Sequence, residues 1–249
     1  MNRMKNLQDK IAFVQGGSRG IGAAIVKRLV SEGAAVAFTY NASKSCAEQL
    51  ASELVSAGGN VIALRADSAH PEQLQQAIRQ TTEHFGGFDI LINNAGILPW
   101  GPLEALTLEE IDLTLAINVR GVIIASQEAS RHLRTGGRII NIGSINADRI
   151  PIVGGAVYAM SKASLVGFTK GLARDLGPRS ITVNNVQPGP VDTDMNPANS
   201  ETASQLKKLM ALGRYGKDDE VASFVAYLAG PEAGYITGAS LSIDGGFSA

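Results

Sequence analysis

Short, almost wholly apolar runs separated by longer amphipathic stretches constrain this chain more than any other feature. Residues 11–15, 35–40, 61–66, 90–93, 138–142, 181–186 and 240–243 read as strands. Residues 20–32, 44–57, 71–85, 108–133, 157–176 and 218–228 read as helices. Strands this apolar need cover on both faces, and strands alternating with helices form parallel crossovers. The pattern therefore predicts an α/β fold with a doubly wound, mostly seven-stranded parallel sheet and helices on both sides. Ser43 and Thr107 fall where helix N-caps belong, and Gly33, Gly58 and Gly177 fall where helix ends favour a positive φ. No linker, repeat or low-complexity stretch interrupts the alternation, so residues 1–249 are expected to form a single domain.

Composition narrows the function classes. With 249 residues and 45% hydrophobic content, one large core can be buried. A net charge of −1 leaves no electrostatic footprint for nucleic acid or an anionic membrane. No apolar run approaches the roughly 20 residues that span a bilayer, and the charged segment 1–10 lacks the apolar centre of a signal peptide. One cysteine, Cys46, excludes an internal disulfide and fits a reducing compartment. The expectation is a cytoplasmic protein without nucleic-acid or membrane partners. His70, His84 and His132 are scattered without metal-like spacing, so no metal site is expected.

The first strand runs into Gln15-Gly-Gly-Ser-Arg-Gly-Ile-Gly22, where a helix begins. Glycines at 16, 20 and 22 allow a tight turn and close backbone approach to a pyrophosphate. The helix start offers free N–H groups to the phosphates. At the end of the second strand, Phe38-Thr-Tyr-Asn-Ala-Ser-Lys44 carries no acid to accept bonds from a ribose 2′-hydroxyl. Arg19 in the loop, with Tyr40, Asn41, Ser43 and Lys44 nearby, suits a 2′-phosphate instead, which selects NADP(H) over NAD(H).

A second constellation lies at Ser144 to Lys162. Tyr158 and Lys162 are four residues apart, so a helix projects both from one face. A free phenol, with a pKa of about 10, is a poor acid or base at neutral pH. A cation one turn away favours the phenolate and pulls that pKa down. Ser144, just past a predicted strand, offers a hydroxyl to a carbonyl or alcohol oxygen. Together they make a proton-transfer site without metal or histidine.

These residues, taken in order, resemble the short-chain dehydrogenase/reductase family over almost the whole chain. The likeness runs through the loop from Gly16 to Gly22, Asp67, Asn93-Asn-Ala-Gly96, Asn118, Ser144, Tyr158-Ala-Met-Ser-Lys162, Pro188-Gly-Pro-Val-Asp-Thr193 and Thr237-Gly-Ala-Ser-Leu-Ser-Ile-Asp-Gly-Gly246. The resemblance implies a Rossmann domain and hydride transfer between NADP(H) and a small carbonyl compound. It implies Tyr158 as general acid and cofactor contact, Lys162 as its tuner and ribose anchor, and Ser144 as the polarising hydroxyl. Asn118 is implied as a proton-relay residue, although as sequence it is equally a polar helix residue. Gly16, Ser18, Arg19, Gly20, Ile21 and Gly22 would line the phosphates and adenosine. Asp67 and Ser68 would meet the adenine, Asn94, Ala95 and Gly96 the adenosine ribose, and Pro188, Gly189, Val191 and Thr193 the nicotinamide. The family's habit, with helices 108–133 and 157–176 apolar on more than one face, implies a homotetramer.

Several features depart from the family pattern or stay open. Gln15 stands where the family usually has threonine or serine, and its amide is expected to bond locally in a rearranged turn. Ser144 to Tyr158 spans 14 positions, one more than the family's commonest spacing, so the 146–155 loop should bulge toward substrate. Trp100 either walls the substrate pocket or packs. Residues 190–215 read as a substrate lid, apolar inside through Met195, Leu209, Met210 and Leu212. Asp192 and Asp194 read as turn formers, and Lys207 and Lys208 as a solvated helix face. Two alternatives to a small-ketone reductase remain. Arg179 resembles a carrier-docking residue of 3-oxoacyl-carrier-protein reductases. The segments Gly143–Pro151, Gln187–Asn199 and Ala229–Ala233 resemble a cyclic-di-GMP-binding regulatory member of the same family.

Overall fold

The computed structural model describes residues 6–249, so the first half of the charged segment 1–10 lies outside the described residues. Seven parallel strands form one sheet in the order β3-β2-β1-β4-β5-β6-β7. They are β1 (Ile11–Gln15), β2 (Ala35–Tyr40), β3 (Val61–Arg65), β4 (Ile90–Asn93), β5 (Arg138–Ile142), β6 (Thr182–Pro188) and β7 (Ser240–Ile243). The helices are α1 (Gly20–Ser31), α2 (Lys44–Ser56), α3 (Pro71–Phe85), α4 (Leu108–Leu115), α5 (Val122–His132), α6 (Ala156–Leu176), α7 (Ala203–Lys207) and α8 (Asp218–Ala229).

Period-two side-chain alternation sorts each strand between two cores. Ala12 and Val14 of β1, Val36 and Phe38 of β2, and Ile90 and Ile92 of β4 pack with α1, α2 and α8. Their neighbours Phe13, Ala37 and Leu91 pack on the other face with α3, α5 and α6. Toward the strand ends this second face turns polar. Register places Gln15 beside Asn93, Asn93 beside Asn141, and Asn141 beside Asn185. Asn93 Nδ2 donates to Asn141 Oδ1 at 2.8 Å and to Ser126 Oγ at 3.0 Å, and Asn141 Nδ2 donates to Thr169 Oγ1 at 2.9 Å. This buried amide row ties α5 and α6 to the sheet just below the strands' carboxyl ends.

The structure corrects four local expectations. The helix expected over 108–133 is interrupted by a π-helical turn, Ala116–Gly121, between α4 and α5; hydrophobic periodicity carries no signal for one inserted residue. Gly177 has φ −53, because Pro178 opens a 3-10 turn and the left-handed position moves to Ser180 at φ 56. Gly33 and Gly58 do take positive φ, at 98 and 87. Thr107 forms a full capping box with Glu110, whereas Ser43 makes no side-chain cap bond. The third strand ends one residue earlier than expected, and the sixth runs on to Pro188.

Candidate active site

Strand order reverses between β1 and β4, and parallel sheets bind ligands in the crevice at that point, beyond the carboxyl ends. A cavity of about 670 Å³ opens there. Gly16, Ser18, Arg19, Gly20, Ile21, Gly22, Tyr40, Asn41, Ser43, Asp67, Ser68, Asn94, Ala95 and Gly96 line one part. Ser144, Tyr158, Lys162, Pro188, Gly189, Val191 and Thr193 line the rest. Lys44 does not line the cavity; its ammonium turns outward to Glu48 at 3.6 Å.

The glycine turn is shaped for a close-approaching ligand. Gly16 has φ +71, and a Cβ on Gly22 would lie 2.1 Å from the Gly16 carbonyl oxygen and 2.5 Å from Asn94 Nδ2. Asn94 Nδ2 donates to the Gly16 carbonyl at 2.8 Å. The first turn of α1 has neither a side-chain cap nor an acidic residue. Its free N–H groups therefore face the cavity without competition, as a pyrophosphate requires. Thr39 supports the turn: Gly16 N donates to its Oγ1 and Gly17 N to its carbonyl oxygen, both at 2.9 Å. Thr39 was not singled out as a site residue, although a lone hydroxyl in the run Ala-Val-Ala-Phe-Thr-Tyr was the available signal. Gln15 contradicts its expectation. It is fully buried, and neither amide atom has a partner among the described residues, because the turn bonds expected of it come from Thr39 and Asn94.

At the other end of the cavity α6 does project Tyr158 and Lys162 from one face, with Nζ 5.9 Å from the phenol ring's centre. Lys162 Nζ donates to the Ile142 carbonyl at 2.8 Å, and burial pulls its pKa down to about 8. Tyr158 does not show the expected depression. Burial pushes its hydroxyl above the usual phenol range, opposed by a hydrogen bond with Ser144. The lysine charge is spent on a backbone carbonyl, so desolvation governs the free site. Ser144 sits at the head of a 3-10 turn and accepts from Asn146 N at 3.1 Å.

Asn118 lies in the π turn, fully buried, and does not line the cavity. Its Oδ1 accepts from Ile97 N at 2.9 Å, while Nδ2 donates to the Ile97 carbonyl and to Ser161 Oγ, both at 3.0 Å. It thus clamps the segment after Gly96 to the residue beside Lys162. Among the described residues no group of histidine, cysteine or acidic side chains could hold a metal. His132 faces Glu128 at 3.2 Å and His70 faces Asp67 at 3.4 Å.

Around the catalytic groups the cavity gathers Leu98, Trp100, Ile145, Ile152, Met195, Leu206 and Phe247 from four distant segments. Trp100 both walls the cavity and packs, its Nε1 donating to the Val153 carbonyl at 2.8 Å. Within 190–215, Met195 and Leu206 line the cavity, whereas Met210 is buried behind that wall in a cluster with Tyr215 and Phe247, Leu209 packs against the same cluster, and Leu212 is exposed. Asp192 is a turn former, accepting from Ala198 N at 2.8 Å. Lys207 folds back to the Ala198 carbonyl at 3.0 Å, and Lys208 alone is solvated.

A parallel sheet with a phosphate-shaped turn at its reversal and a Ser–Tyr–Lys group beyond it defines a dinucleotide-dependent oxidoreductase architecture. The family model described as enoyl-(acyl carrier protein) reductase matches residues 16–248, and the chain belongs to the short-chain dehydrogenase/reductase family. It is 70% identical to a solved short-chain dehydrogenase/reductase from Serratia marcescens BCRC 10948, with a TM-score of 0.97, covering 98% of this chain and 100% of that one. A Burkholderia cenocepacia J2315 short-chain dehydrogenase, solved in complex with NADP, is 54% identical at TM-score 0.97 over 98% and 100% of the two chains. The cyclic-di-GMP-binding biofilm dispersal mediator protein of Escherichia coli K12 is 49% identical over 96% of this chain and 98% of that protein.

Proposed function

We propose that the protein is an NADPH-dependent reductase of a ketone or another small, non-carrier-bound carbonyl compound. The observation that carries this is one continuous cavity, with the glycine turn at one end and Ser144, Tyr158 and Lys162 at the other. The uncapped α1 start holds the pyrophosphate, and Arg19, Asn41 and Ser43 receive the 2′-phosphate where no acid opposes it. When bound, NADPH supplies the hydride. Ser144 donates to the substrate's carbonyl oxygen, and Tyr158 gives that oxygen its proton as the carbonyl carbon is reduced to the alcohol. A phenol kept protonated by burial is poised to donate. Lys162, which donates to the Ile142 carbonyl in the free site, would hold the nicotinamide ribose hydroxyls when the cofactor is bound, and its charge would stabilise the phenolate left behind. Asn118 acts indirectly, by holding the Ile97 segment and Ser161 around Lys162.

Arg179 argues against carrier docking. Its guanidinium donates to the Ser130 carbonyl at 2.5 Å and to the Leu133 carbonyl, closing the end of α5. The likeness to the Escherichia coli mediator keeps cyclic-di-GMP binding as a second reading, but a pure binder has no need of the Ser–Tyr–Lys group. Exposed Leu113, Leu115, Ile123 and Met160 on α4 to α6 support a homotetramer, which gel filtration tests. No helix among the described residues is long and apolar enough to cross a membrane, and the unpaired Cys46 supports a cytoplasmic location. Residues 190–215 are proposed to act as a lid within one domain.

The deciding experiment is a panel of ketones assayed with NADPH and NADH, alongside calorimetry with cyclic-di-GMP. Oxidation of NADPH in preference to NADH supports the reductase. Cyclic-di-GMP heat without turnover of any ketone supports the regulator.

A further inference from the structure

The chamber beyond Tyr158 says which carbonyl compound it suits, and this inference rests on the reductase reading above. Its wall is held in place from two sides. Trp100 Nε1 donates to the Val153 carbonyl at 2.8 Å, and Gly101 N donates to the Gly154 carbonyl at 3.0 Å. The indole lies so close to the 146–155 loop that a Cβ on Gly154 or Gly155 would fall 2.7 Å from it. On the other side Arg149 donates to the Phe247 carbonyl, with its guanidinium 5.6 Å above that ring's centre. The 146–155 loop is thus tied into the chamber's wall on both sides.

Charge completes the argument. Arg149 is occupied by Phe247, Lys207 by the Ala198 carbonyl and the Tyr215 ring at 5.8 Å, and Arg214 by two bonds to Glu220 at 2.7 and 2.8 Å. None of the three lines the cavity, and Asp194 is the charged side chain at this end besides Lys162. Among the described residues at this end, a carboxylate or phosphate on the substrate would meet the Asp194 carboxylate and no cation other than Lys162, which is held by the Ile142 carbonyl. We infer that the substrate is a ketone without an anionic group and bearing an aromatic or alicyclic arm, that the arm lies against Trp100, and that Trp100 determines specificity for it. Aromatic rings packed on an indole gain contact energy beyond their buried area.

Trp100 is the chain's single tryptophan, so its fluorescence reports binding directly, independent of turnover. The native protein, saturated with NADP⁺, is titrated with acetophenone and with phenylglyoxylate, which carries a carboxylate in place of the methyl group. Saturable quenching by acetophenone, with phenylglyoxylate bound at least about tenfold more weakly, supports the inference. Equal or tighter phenylglyoxylate binding, or no saturable response to acetophenone, overturns it. In the NADPH assay, Trp100→Ala should raise KM for acetophenone about tenfold with kcat little changed, and Trp100→Phe should restore most of the loss. A fluorescence response without NADPH oxidation counts against the reductase reading while leaving the ligand class standing. Equal KM in Trp100→Ala and the native protein removes Trp100 as the determinant.

Discussion

The two ends of the cavity are built from different materials. At the cofactor end the obstacles to change are backbone: a Cβ on Gly22 meets the Gly16 carbonyl at 2.1 Å. At the substrate end they are side chains: a Cβ on Gly155 meets the rim of the Trp100 indole at 2.7 Å, and that indole is 40% exposed and able to shift. Backbone shape is specific to one ligand geometry and tolerates little. A wall of side chains from separate segments is free to vary, and substrate choice can change there without disturbing the cofactor.

The largest expected effect on binding tests that contrast at its stiff end. Gly22→Ala should weaken NADPH binding about a hundredfold by forcing the turn away from the α1 start, measured by fluorescence titration with circular dichroism as the folding control. Unaltered affinity would break the comparison there. Gly155→Ala should leave NADPH affinity unchanged and alter only the ketone KM, by about three- to tenfold. If it also lost NADPH affinity, the two ends would not be separable.

Lys162 stands between the two ends and sharpens the comparison through stability. Holding its ammonium in a buried site with a pKa of about 8 costs about 3 kcal/mol. Because the folded value lies below the unfolded one, the penalty is complete below pH 8 and fades as pH rises toward 10.5. Lys162→Met should therefore lose activity yet melt several degrees higher at pH 7. That advantage should shrink as the pH is raised through this window. A melting gain that is independent of pH would remove the buried charge as its cause.

The smallest effect concerns Gln15. An unpartnered buried amide costs about 1–3 kcal/mol, so Gln15→Met should raise the melting temperature by about 2–4 °C for each kcal/mol recovered and leave cofactor affinity intact. A lower melting temperature would mean that the amide is satisfied by an ordered water.

Legibility followed the same division. The strands and the cofactor turn were readable because apolar runs and glycine positions are local signals. The π turn at Ala116–Gly121 was not, since one inserted residue leaves the apolar pattern intact. Phe247 and Leu206 were not, since only the fold brings the tail and the 190–215 segment to Tyr158. Spacing placed Tyr158 beside Lys162 correctly but could not foresee that Lys162 turns to the Ile142 carbonyl. The expected sign of the Tyr158 shift failed for that reason: burial, which spacing does not report, outweighs the neighbouring charge.

The central claim is that Tyr158 delivers the proton while the cofactor site is complete without it. Its most direct test is Tyr158→Phe, assayed for NADPH oxidation with a turned-over ketone and for NADPH binding in the same preparation. The account predicts a loss of about 10²–10⁴ in kcat with NADPH affinity within about threefold of the native protein. Turnover equal to that of the native protein would contradict it.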